Sequence, residues 1–279
     1  MIPKGHHLRT IVSAVREDLG KRKRGTPLSD IAALARANRR RRDIREFLKR
    51  GPGIIAEIKR ASPSRGWIRK GLDAAETARA YSAADACAVS VLTERRFFGG
   101  TLRDLQEASA ACGDLPVLRK DFVLDEYMLA ESRAYGADLV LLIVGVLGEK
   151  TAGMVQRAAE YGLEALVEVH DEEEMEVADA CGATIVGINN RDLSSLRVDL
   201  DTAARLLPQA PPDAIKVVES GISSGADVAR YYAMGADAFL VGEAIVRAPD
   251  AADAIRKLKQ DVYNTERGKE RTEWKRRSS

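Results

Sequence analysis

Four charged side chains stand at the ends of short apolar segments, where a folded chain would bury them. Glu57 and Lys59 alternate with apolar neighbours, so both point to one face of an extended strand. Lys120 and Glu168 close two later segments, and Asn189 ends a third. A buried charge is costly unless it is paired, and two lysines with two carboxylates supply acid and base groups. A structural network of ion pairs would explain each charge alone, but four together favour a catalytic site.

Small residues that end two later segments indicate a phosphate site. Glycine and serine at such positions expose backbone N–H groups, which bind phosphate after the last two strands of many barrels. Either pair alone is weak, since glycine is common in any turn after a strand. A Ser-Pro-Ser sequence after the first segment would add hydroxyl groups, although it is also a common turn. The predicted phosphate ligands are Ser64, Ser220, Gly221, Gly242 and Glu243, with Ser62 beside them.

Apolar side chains near the same segment ends are candidates for a ring-binding slot. Phe98, Phe122 and Leu141 would hold a flat ring or would pack at the mouth of the fold, and spacing alone favours neither. His170 follows a segment end without a His-x-His pair, so we predict a loop or supporting residue and not a metal ligand. We predict no metal site and no disulfide framework, because the three cysteines are far apart in sequence.

Eight short apolar segments, which we predict to be strands, alternate with amphipathic helical stretches from residue 53 onward. Strands that are apolar on both faces are typical of a parallel sheet covered by helices. Eight such units in about 200 residues favour an α/β fold, the closed (β/α)8 TIM barrel. A doubly wound open sheet is the weaker alternative, because no G-x-G-x-x-G sequence follows the first strand. The predicted strands are Ile54–Lys59, Cys87–Thr93, Pro116–Lys120, Leu139–Val144, Ala165–Val169, Ile185–Asn189, Lys216–Ser220 and Ala238–Gly242.

A recurring tetrapeptide marks the predicted junctions between helices and strands. Tyr135-Gly-Ala-Asp, Cys181-Gly-Ala-Thr and Met234-Gly-Ala-Asp each separate a helical stretch from an apolar segment. Glycine suits the left-handed conformation just past the end of a helix. The repeat therefore supports the alternating order of elements.

The predicted barrel covers residues 53–260 and carries an extension at each end. Residues 1–52 are expected to form an N-terminal helical extension packed on the barrel, with a helical pattern that continues through Arg39–Arg42. The Gly-Pro-Gly sequence at residues 51–53 ends this extension. Residues 261–279 are basic and lack periodicity, which predicts a disordered tail.

The net charge of +2 conceals basic ends on an acidic domain. Residues 1–50 carry a net charge of +10, residues 51–255 one of −13, and residues 256–279 one of +5. Nucleic-acid binding through those ends is an alternative that we do not favour, because no aromatic residues for base stacking are interleaved. The sequence has no run of 18 apolar residues and no apolar leader, so we expect no membrane partner and a cytoplasmic location.

Several motifs are specific enough to indicate a family when taken together. They include Ile55–Ser64 (IAEIKRASPS), Leu118–Phe122 (LRKDF) and Gly187–Leu193 (GINNRDL). With them, the chain resembles the indole-3-glycerol-phosphate synthase family over nearly all of residues 53–247. The resemblance implies conversion of 1-(2-carboxyphenylamino)-1-deoxyribulose 5-phosphate to indole-3-glycerol phosphate, with loss of carbon dioxide and water. It implies a phosphorylated small-molecule partner, no metal or organic cofactor, and a monomer or weak homodimer.

The resemblance also implies roles for the five polar residues at the strand ends. Lys120 would be the general acid that protonates the ribulose carbonyl. Lys59 would pair with the anthranilate carboxylate and serve as an acid in the dehydration. Glu168 would stabilise the cationic intermediate or act as an acid–base partner, while Glu57 would be a base and Asn189 would orient a sugar hydroxyl. The other expected substrate contacts, some of them at the rim, are Ser62, Phe98, Phe122, Leu141, Arg191 and Glu219.

Two rival functions are compatible with parts of the pattern. A sister phosphate barrel, phosphoribosylanthranilate isomerase, is expected to carry a cysteine at the end of its first strand. Glu57-Ile-Lys59 stands there in this chain, which argues against that rival. The other rival is a barrel that has lost catalysis and binds nucleic acid through its basic ends, and the intact charged set argues against it.

Overall fold

Eight parallel strands close into a barrel in the computed structural model, which describes residues 6–48, 51–264, 270, 271 and 273. Each strand pairs with its neighbours in chain order, and the first strand pairs with the eighth. The predicted (β/α)8 barrel is therefore confirmed, and the open-sheet alternative is wrong. The barrel strands are Gly53–Ile58, Ala88–Leu92, Val117–Lys120, Leu139–Ile143, Glu164–Val169, Ile185–Asn189, Ile215–Glu219 and Ala238–Val241.

Helices cover the outside of the barrel and connect its strands. The strand residues are mostly buried because one face fills the barrel interior and the other meets these helices. Several helices begin at a side-chain cap, as where the Asp73 carboxylate accepts a hydrogen bond from the Glu76 N–H. Among the described residues, no helix is both long and apolar enough to cross a membrane. The main helices after the strands are Ala74–Ala83, Leu102–Ala111, Glu126–Ala134, Thr151–Glu160, Glu172–Ala180, Asp201–Leu206, Gly225–Ala233 and Ala251–Asn264.

Shorter elements lie within the connections. An antiparallel ribbon of two-residue strands forms in the loop after the first barrel strand. Single-turn helices follow the fourth and eighth strands directly. In chain order the short elements are the strands Ala61–Ser62 and Gly66–Trp67, the α-helix Val144–Leu147, the 3-10 turns Gly148–Lys150 and Leu207–Gln209, and the α-helix Glu243–Val246.

The recurring Gly-Ala tetrapeptide lies where the sequence predicts it. Gly136, Gly182 and Gly235 each follow a helix end, with φ values of 94°, 67° and 113°. These left-handed conformations are costly for residues that carry a Cβ atom. The prediction that the repeat marks junctions between helices and strands is confirmed.

Three helices precede the barrel, and they pack against it. They are His6–Gly25, Leu28–Ala37 and Ile44–Leu48, and their apolar faces join the hydrophobic core of the barrel. The first helix is also tied to the barrel by an ion pair, in which Arg22 Nε lies 2.7 Å from Glu131 Oε1. Because Glu131 is buried on the helix after the third strand, this contact fixes the extension to one side of the barrel.

The arginine run Arg39–Arg42 is not helical, so the prediction of a continuing helix is wrong. The side chains of Arg40 and Arg42 instead hydrogen-bond to residues that precede the third and fourth barrel strands. Arg40 donates hydrogen bonds to the carbonyl groups of Ser109 and Gly113. Arg42 donates to the Ser109 carbonyl at 2.7 Å and pairs with the buried Asp138 at 2.8 Å. These bonds favour an extended backbone here over another helical turn.

The last barrel helix, Ala251–Asn264, passes the predicted domain boundary at residue 260. The expectation of disorder is therefore wrong for residues 261–264. The helix continues because its apolar face, which includes Val262, is buried against the barrel. Arg271 also contacts the barrel through hydrogen bonds to backbone carbonyl groups. The rest of the predicted tail, residues 265–269, 272 and 274–279, lies outside the described residues.

Candidate active site

A cavity of about 690 Å³ opens at the C-terminal ends of the barrel strands, where barrel enzymes carry their active sites. All but two of the predicted site residues line it. Ser62 and Ser64 are the exceptions, because they lie in the ribbon after the first strand and outside the lining. The predicted residues that do line the cavity are Glu57, Lys59, Phe98, Lys120, Phe122, Leu141, Glu168, Asn189, Arg191, Glu219, Ser220, Gly221, Gly242 and Glu243.

Lys120 lies between two buried carboxylates in this cavity. Its Nζ atom is 2.6 Å from Oε2 of Glu219 and 3.3 Å from Oε2 of Glu168. Together with Glu57, these residues come from the first, third, fifth and seventh strands, and alternate strands supply one interior layer of such a barrel. Glu219 is 1% exposed, so of the two positions that the resemblance left open, beside the catalytic groups or at the rim, it occupies the first.

These contacts set the charges of the cluster. Burial favours the neutral form of Lys120, but the carboxylates of Glu219, Glu168 and Glu57 outweigh it and raise the pKa of Lys120 above its usual value. Burial likewise opposes the charge of Glu168, but Lys120 and further donors hold the pKa of Glu168 well below its usual range. For Glu219, burial and the neighbouring carboxylates prevail over Lys120 and raise the pKa to about 7. The cluster thus holds a fixed cation and anion beside a group that titrates near neutrality.

Two glycines make room for the buried carboxylates. A Cβ atom added at Gly187 would lie 2.4 Å from Oε1 of Glu219, and one added at Gly242 would lie 2.2 Å from Oε1 of Glu57. Neither contact is possible without displacing the carboxylate. Glycine at position 242, predicted for its phosphate-binding N–H, therefore also serves the charged layer.

Lys59 follows the first strand and pairs with Glu57 on the same strand. Its Nζ atom is 2.7 Å from Oε1 of Glu57. The side chain of Lys59 is 18% exposed and that of Glu57 is 3% exposed, so the amine end lies nearer to solvent than the carboxylate. This position leaves the ammonium group of Lys59 available to an anionic group in the cavity.

Asn189 connects the charged layer to the loop after the sixth strand. Its side-chain Nδ2 donates to Oε1 of Glu168 at 3.1 Å, and its Oδ1 accepts from the backbone N–H of Arg191 at 2.9 Å. The Arg191 guanidinium donates to the carbonyl of Leu196 within the same loop, at 2.8 Å. Asn189 is thereby held in one orientation, with its side chain against Glu168.

The three apolar residues that the sequence indicated all line the cavity. The rings of Phe98 and Phe122 have centroids 6.3 Å apart and planes inclined by 40°, and Leu141 lines the same cavity. The buried carboxylate of Glu94 accepts hydrogen bonds from the backbone N–H groups of Arg96, Phe97 and Phe98 and so fixes this loop, a contact that the sequence did not indicate.

Two arginines that the sequence analysis missed lie at the other end of the cavity. Arg65 Nε is 3.4 Å and Arg247 Nη1 is 3.2 Å from Oε1 of Glu243. Arg247 is four residues after Glu243, the spacing that pairs side chains on a helix, so the sequence held a signal for it. Arg65 reaches Glu243 from a different loop, and no local pattern predicts that contact.

The turn after the seventh strand lies at the same end of the cavity. Ser220 and Gly221 both adopt left-handed conformations, with φ values of 64° and 81°. A side chain at Gly221 would collide with Leu200 and Val198. The geometry accordingly explains a glycine at position 221 by local sterics and by close backbone approach to the cavity.

The closed barrel and the charged cavity define an α/β-barrel protein with buried lysine and carboxylate groups where barrel enzymes carry their active sites. A sequence profile described as Indole-3-glycerol phosphate synthase matches residues 8–258. The chain belongs to the indole-3-glycerol phosphate synthase family, whose members are carboxy-lyases of tryptophan biosynthesis.

Curated relatives agree with this assignment. The chain is 49% identical over 250 residues to an indole-3-glycerol phosphate synthase of Nocardioides sp., covering 89% of this chain and 96% of the relative. It is 48% identical over 256 residues to one of Parafrankia sp., covering 90% and 94%. These alignments include both the N-terminal extension and the barrel.

Two solved structures of other proteins share the barrel fold. A thiamine phosphate pyrophosphorylase from Pyrococcus furiosus matches with a TM-score of 0.56 and 18% identity, over 78% of this chain and 96% of the other. A 3-hexulose-6-phosphate synthase from Salmonella typhimurium matches with a TM-score of 0.57 and 18% identity, over 75% and 97%. Because their sequence identity to this chain is low, the two structures support the barrel architecture alone.

Proposed function

We propose that this protein converts 1-(2-carboxyphenylamino)-1-deoxyribulose 5-phosphate to indole-3-glycerol phosphate, releasing carbon dioxide and water. The observation that carries the proposal is the position of Lys120 between Glu168 and Glu219, inside a cavity that also holds an apolar slot. Membership of the family supports the same reaction. The substrate carries one carboxylate, one aromatic ring and one phosphate, and the cavity offers a matching group for each.

Binding of the substrate uses the two ends of the cavity. The aromatic ring lies against Phe98 and Phe122, and its carboxylate pairs with the Lys59 ammonium group. The phosphate binds at the end where Arg65 and Arg247 lie, with backbone N–H groups after the seventh and eighth strands as further donors. Glu243 holds both arginines in the free protein and releases at least one of them to the phosphate.

Ring closure joins the carboxylate-bearing carbon of the aromatic ring to the ketone carbon of the sugar chain. Lys120 donates a proton to the ketone oxygen as the bond forms, which converts that oxygen to a hydroxyl group. The aromatic ring becomes a cation, and the ionised Glu168 stabilises it in a site where most water is excluded. A general acid of this kind contributes about 10²-fold to 10⁴-fold to the rate.

The remaining steps discard carbon dioxide and water. The carboxylate leaves as carbon dioxide, and its electron pair neutralises the cation and restores the aromatic ring. The new hydroxyl group then leaves as water after it receives a proton from Lys59, while Glu57 removes a proton from the carbon next to nitrogen. Asn189 orients a hydroxyl group of the sugar chain during these steps.

The proposed reaction also bears on the cofactors, the oligomeric state and the location of the enzyme. The reaction as written needs no metal ion and no organic cofactor, because protein groups supply every proton transfer. We infer a monomer or a weak homodimer, since the large exposed apolar side chains of the described residues are few and belong to several different elements. A biosynthetic enzyme of this kind is expected in the cytoplasm.

The test is to mix the purified protein with the carboxyphenylamino-deoxyribulose phosphate, in the presence of a chelator, and to follow indole absorbance or fluorescence. Growth of an indole signal at a rate proportional to protein concentration supports the proposal. Binding without an indole signal would reject the proposed chemistry and would indicate a barrel that binds the substrate without converting it. Absence of both binding and signal would reject the substrate as well.

A further inference from the structure

His170 lies between two carboxylates at the edge of the charged layer. Its Nε2 atom is 3.3 Å from Oε1 of Glu168, and its Nδ1 atom is 3.0 Å from Oε2 of Glu174. The same oxygen of Glu174 accepts a hydrogen bond from the backbone N–H of His170 at 2.8 Å. Glu174 comes from the helix after the fifth strand, so strand and helix together clamp the imidazole ring.

The imidazolium form suits this arrangement, because it places a positive charge between two carboxylates. An ionised carboxylate accepts hydrogen bonds and donates none, and a neutral imidazole has a single N–H. The Nδ1 atom hydrogen-bonds to Glu174, and Nε2, which makes no hydrogen bond, lies at ion-pair distance from Glu168. Burial opposes that charge, but Glu168 and Glu174 outweigh it and raise the pKa of His170 to about 10.

The position of Glu174 is itself secured by the fold. Gly145, in the single-turn helix after the fourth strand, leaves the space that Glu174 occupies, since a Cβ atom there would lie 2.6 Å from Oε1 of Glu174. The Glu174 N–H also donates to Asp171, the cap of its helix. Glu174 therefore reaches His170 from a fixed helix start.

We propose that His170 is a positioning residue: clamped as an imidazolium ion by Glu174, it fixes Glu168 in its ionised form beside Lys120. This inference rests on the proposed function of the site. Glu168 then has a cation at each oxygen, Lys120 at Oε2 and His170 at Oε1, and its carboxylate cannot turn or take up a proton while Lys120 donates one.

Two other polar groups lie near the ring, Asn189 and Asp192, and neither can replace the positive charge of His170. Asn189 donates to the same oxygen of Glu168 but carries no charge. Asp192, in the loop after the sixth strand, adds another acidic neighbour; burial raises its pKa, but hydrogen bonds from Ser194 and Ser195, with a smaller contribution from the charge of His170, lower it overall. Removing the imidazolium leaves Lys120 as the cation that keeps Glu168 ionised.

The experiment compares His170→Ala, His170→Gln and Glu174→Gln with Glu176→Gln, an exposed carboxylate on the same helix. We expect kcat to fall about 10-fold to 100-fold in His170→Ala with KM within about threefold, because a misplaced catalytic group costs rate more than binding. The acidic limb of the kcat profile should move to higher pH, as Glu168 becomes easier to protonate. His170→Gln keeps a neutral donor toward Glu168. Its kcat should therefore be higher than that of His170→Ala, but the acidic limb of its kcat profile should stay shifted to higher pH.

Two outcomes would overturn the positioning role. One is an unchanged kcat and acidic limb in both His170→Ala and Glu174→Gln, and the second variant decides alone if the first does not fold. The other is a neutral imidazole in the nitrogen NMR spectrum of the wild-type protein near pH 7.5, which the chain's three histidines keep simple to assign. The NMR result does not depend on turnover, so failure of the proposed reaction and failure of this inference are distinguishable.

Discussion

Gly187 and Glu219 face each other across neighbouring strands so closely that a single methyl group cannot fit between them. A Cβ atom at position 187 would stand 2.4 Å from Oε1 of Glu219. The other oxygen of that carboxylate is the one that lies 2.6 Å from Lys120. The absence of a side chain at Gly187 is thus a condition for the contact between Lys120 and Glu219.

Replacing Gly187 with alanine is expected to reduce kcat by about 10²-fold, since the displaced Glu219 pulls on Lys120 and displacements of about 1 Å have effects of this size. Steady-state kinetics of Gly187→Ala checks this, with Gly153→Ala as the control. Gly153 is exposed on the helix Thr151–Glu160, with nothing near its Cβ position, and alanine there favours the helix. Wild-type kcat in Gly187→Ala would show that the tight contact has no bearing on catalysis.

The fold was largely predictable because its signals are local. Each strand is a short apolar run, and most junctions from helix to strand carry a glycine in the left-handed conformation, such as Gly136. Charged residues at strand ends identified Lys120 and Glu168, since burying a charge in a barrel requires a partner. Local patterns do not tell which partner is nearest, and the sequence did not indicate that Glu219 lies closer to Lys120 than Glu168 does.

Contacts between distant segments account for what was missed. Arg65 meets Glu243 across the cavity, from a different loop. The arginine run was assigned to a helix because its spacing continues the pattern, yet Arg40 and Arg42 bond to Ser109 and Asp138, which lie far along the chain at separations of 69 and 96 residues. Such pairings follow from the closed barrel and are invisible in any short window of sequence.

Lys120→Ala should lower kcat by about 10²-fold to 10⁴-fold, the contribution of a well-placed general acid. The fold should survive, because Glu219 can take up a proton near neutral pH once its cation is lost. Kinetics and circular dichroism of this variant test both statements, with the exposed Lys150→Ala as the control. Turnover within a factor of two of the wild type would reject the role given to Lys120.

Glu219 makes stability depend on pH in a defined direction. Its pKa is about 7 in the folded protein against an ordinary value of 4.5, so the folded state binds the extra proton between those values. Its contribution is therefore fully present below pH 4.5 and is lost as the pH rises to 7, a change on the order of 3 kcal/mol. Glu219→Gln should remove this slope in urea unfolding curves recorded across that range. Parallel curves for the two proteins would contradict the raised pKa.

The arginine run provides a test of structure against nucleic-acid binding. Arg42 and Asp138 form an ion pair in which both side chains are almost fully buried, and losing one partner of such a pair costs about 3 kcal/mol or more. Arg39, in the same run, is exposed, and its replacement should change the free energy of unfolding by no more than about 0.5 kcal/mol.

Urea unfolding of Arg42→Ala and Arg39→Ala measures the difference directly, and retention on a nucleic-acid column at physiological salt measures the rival function. If the run exists to hold the extension on the barrel, only Arg42→Ala loses stability and neither variant changes retention. If the run binds phosphate backbones, both variants lose retention, because each arginine that contacts a phosphate adds to the salt-dependent affinity. Equal stability of the two variants would remove the structural explanation, since the buried carboxylate of Asp138 would then have tolerated the loss of its nearest cation.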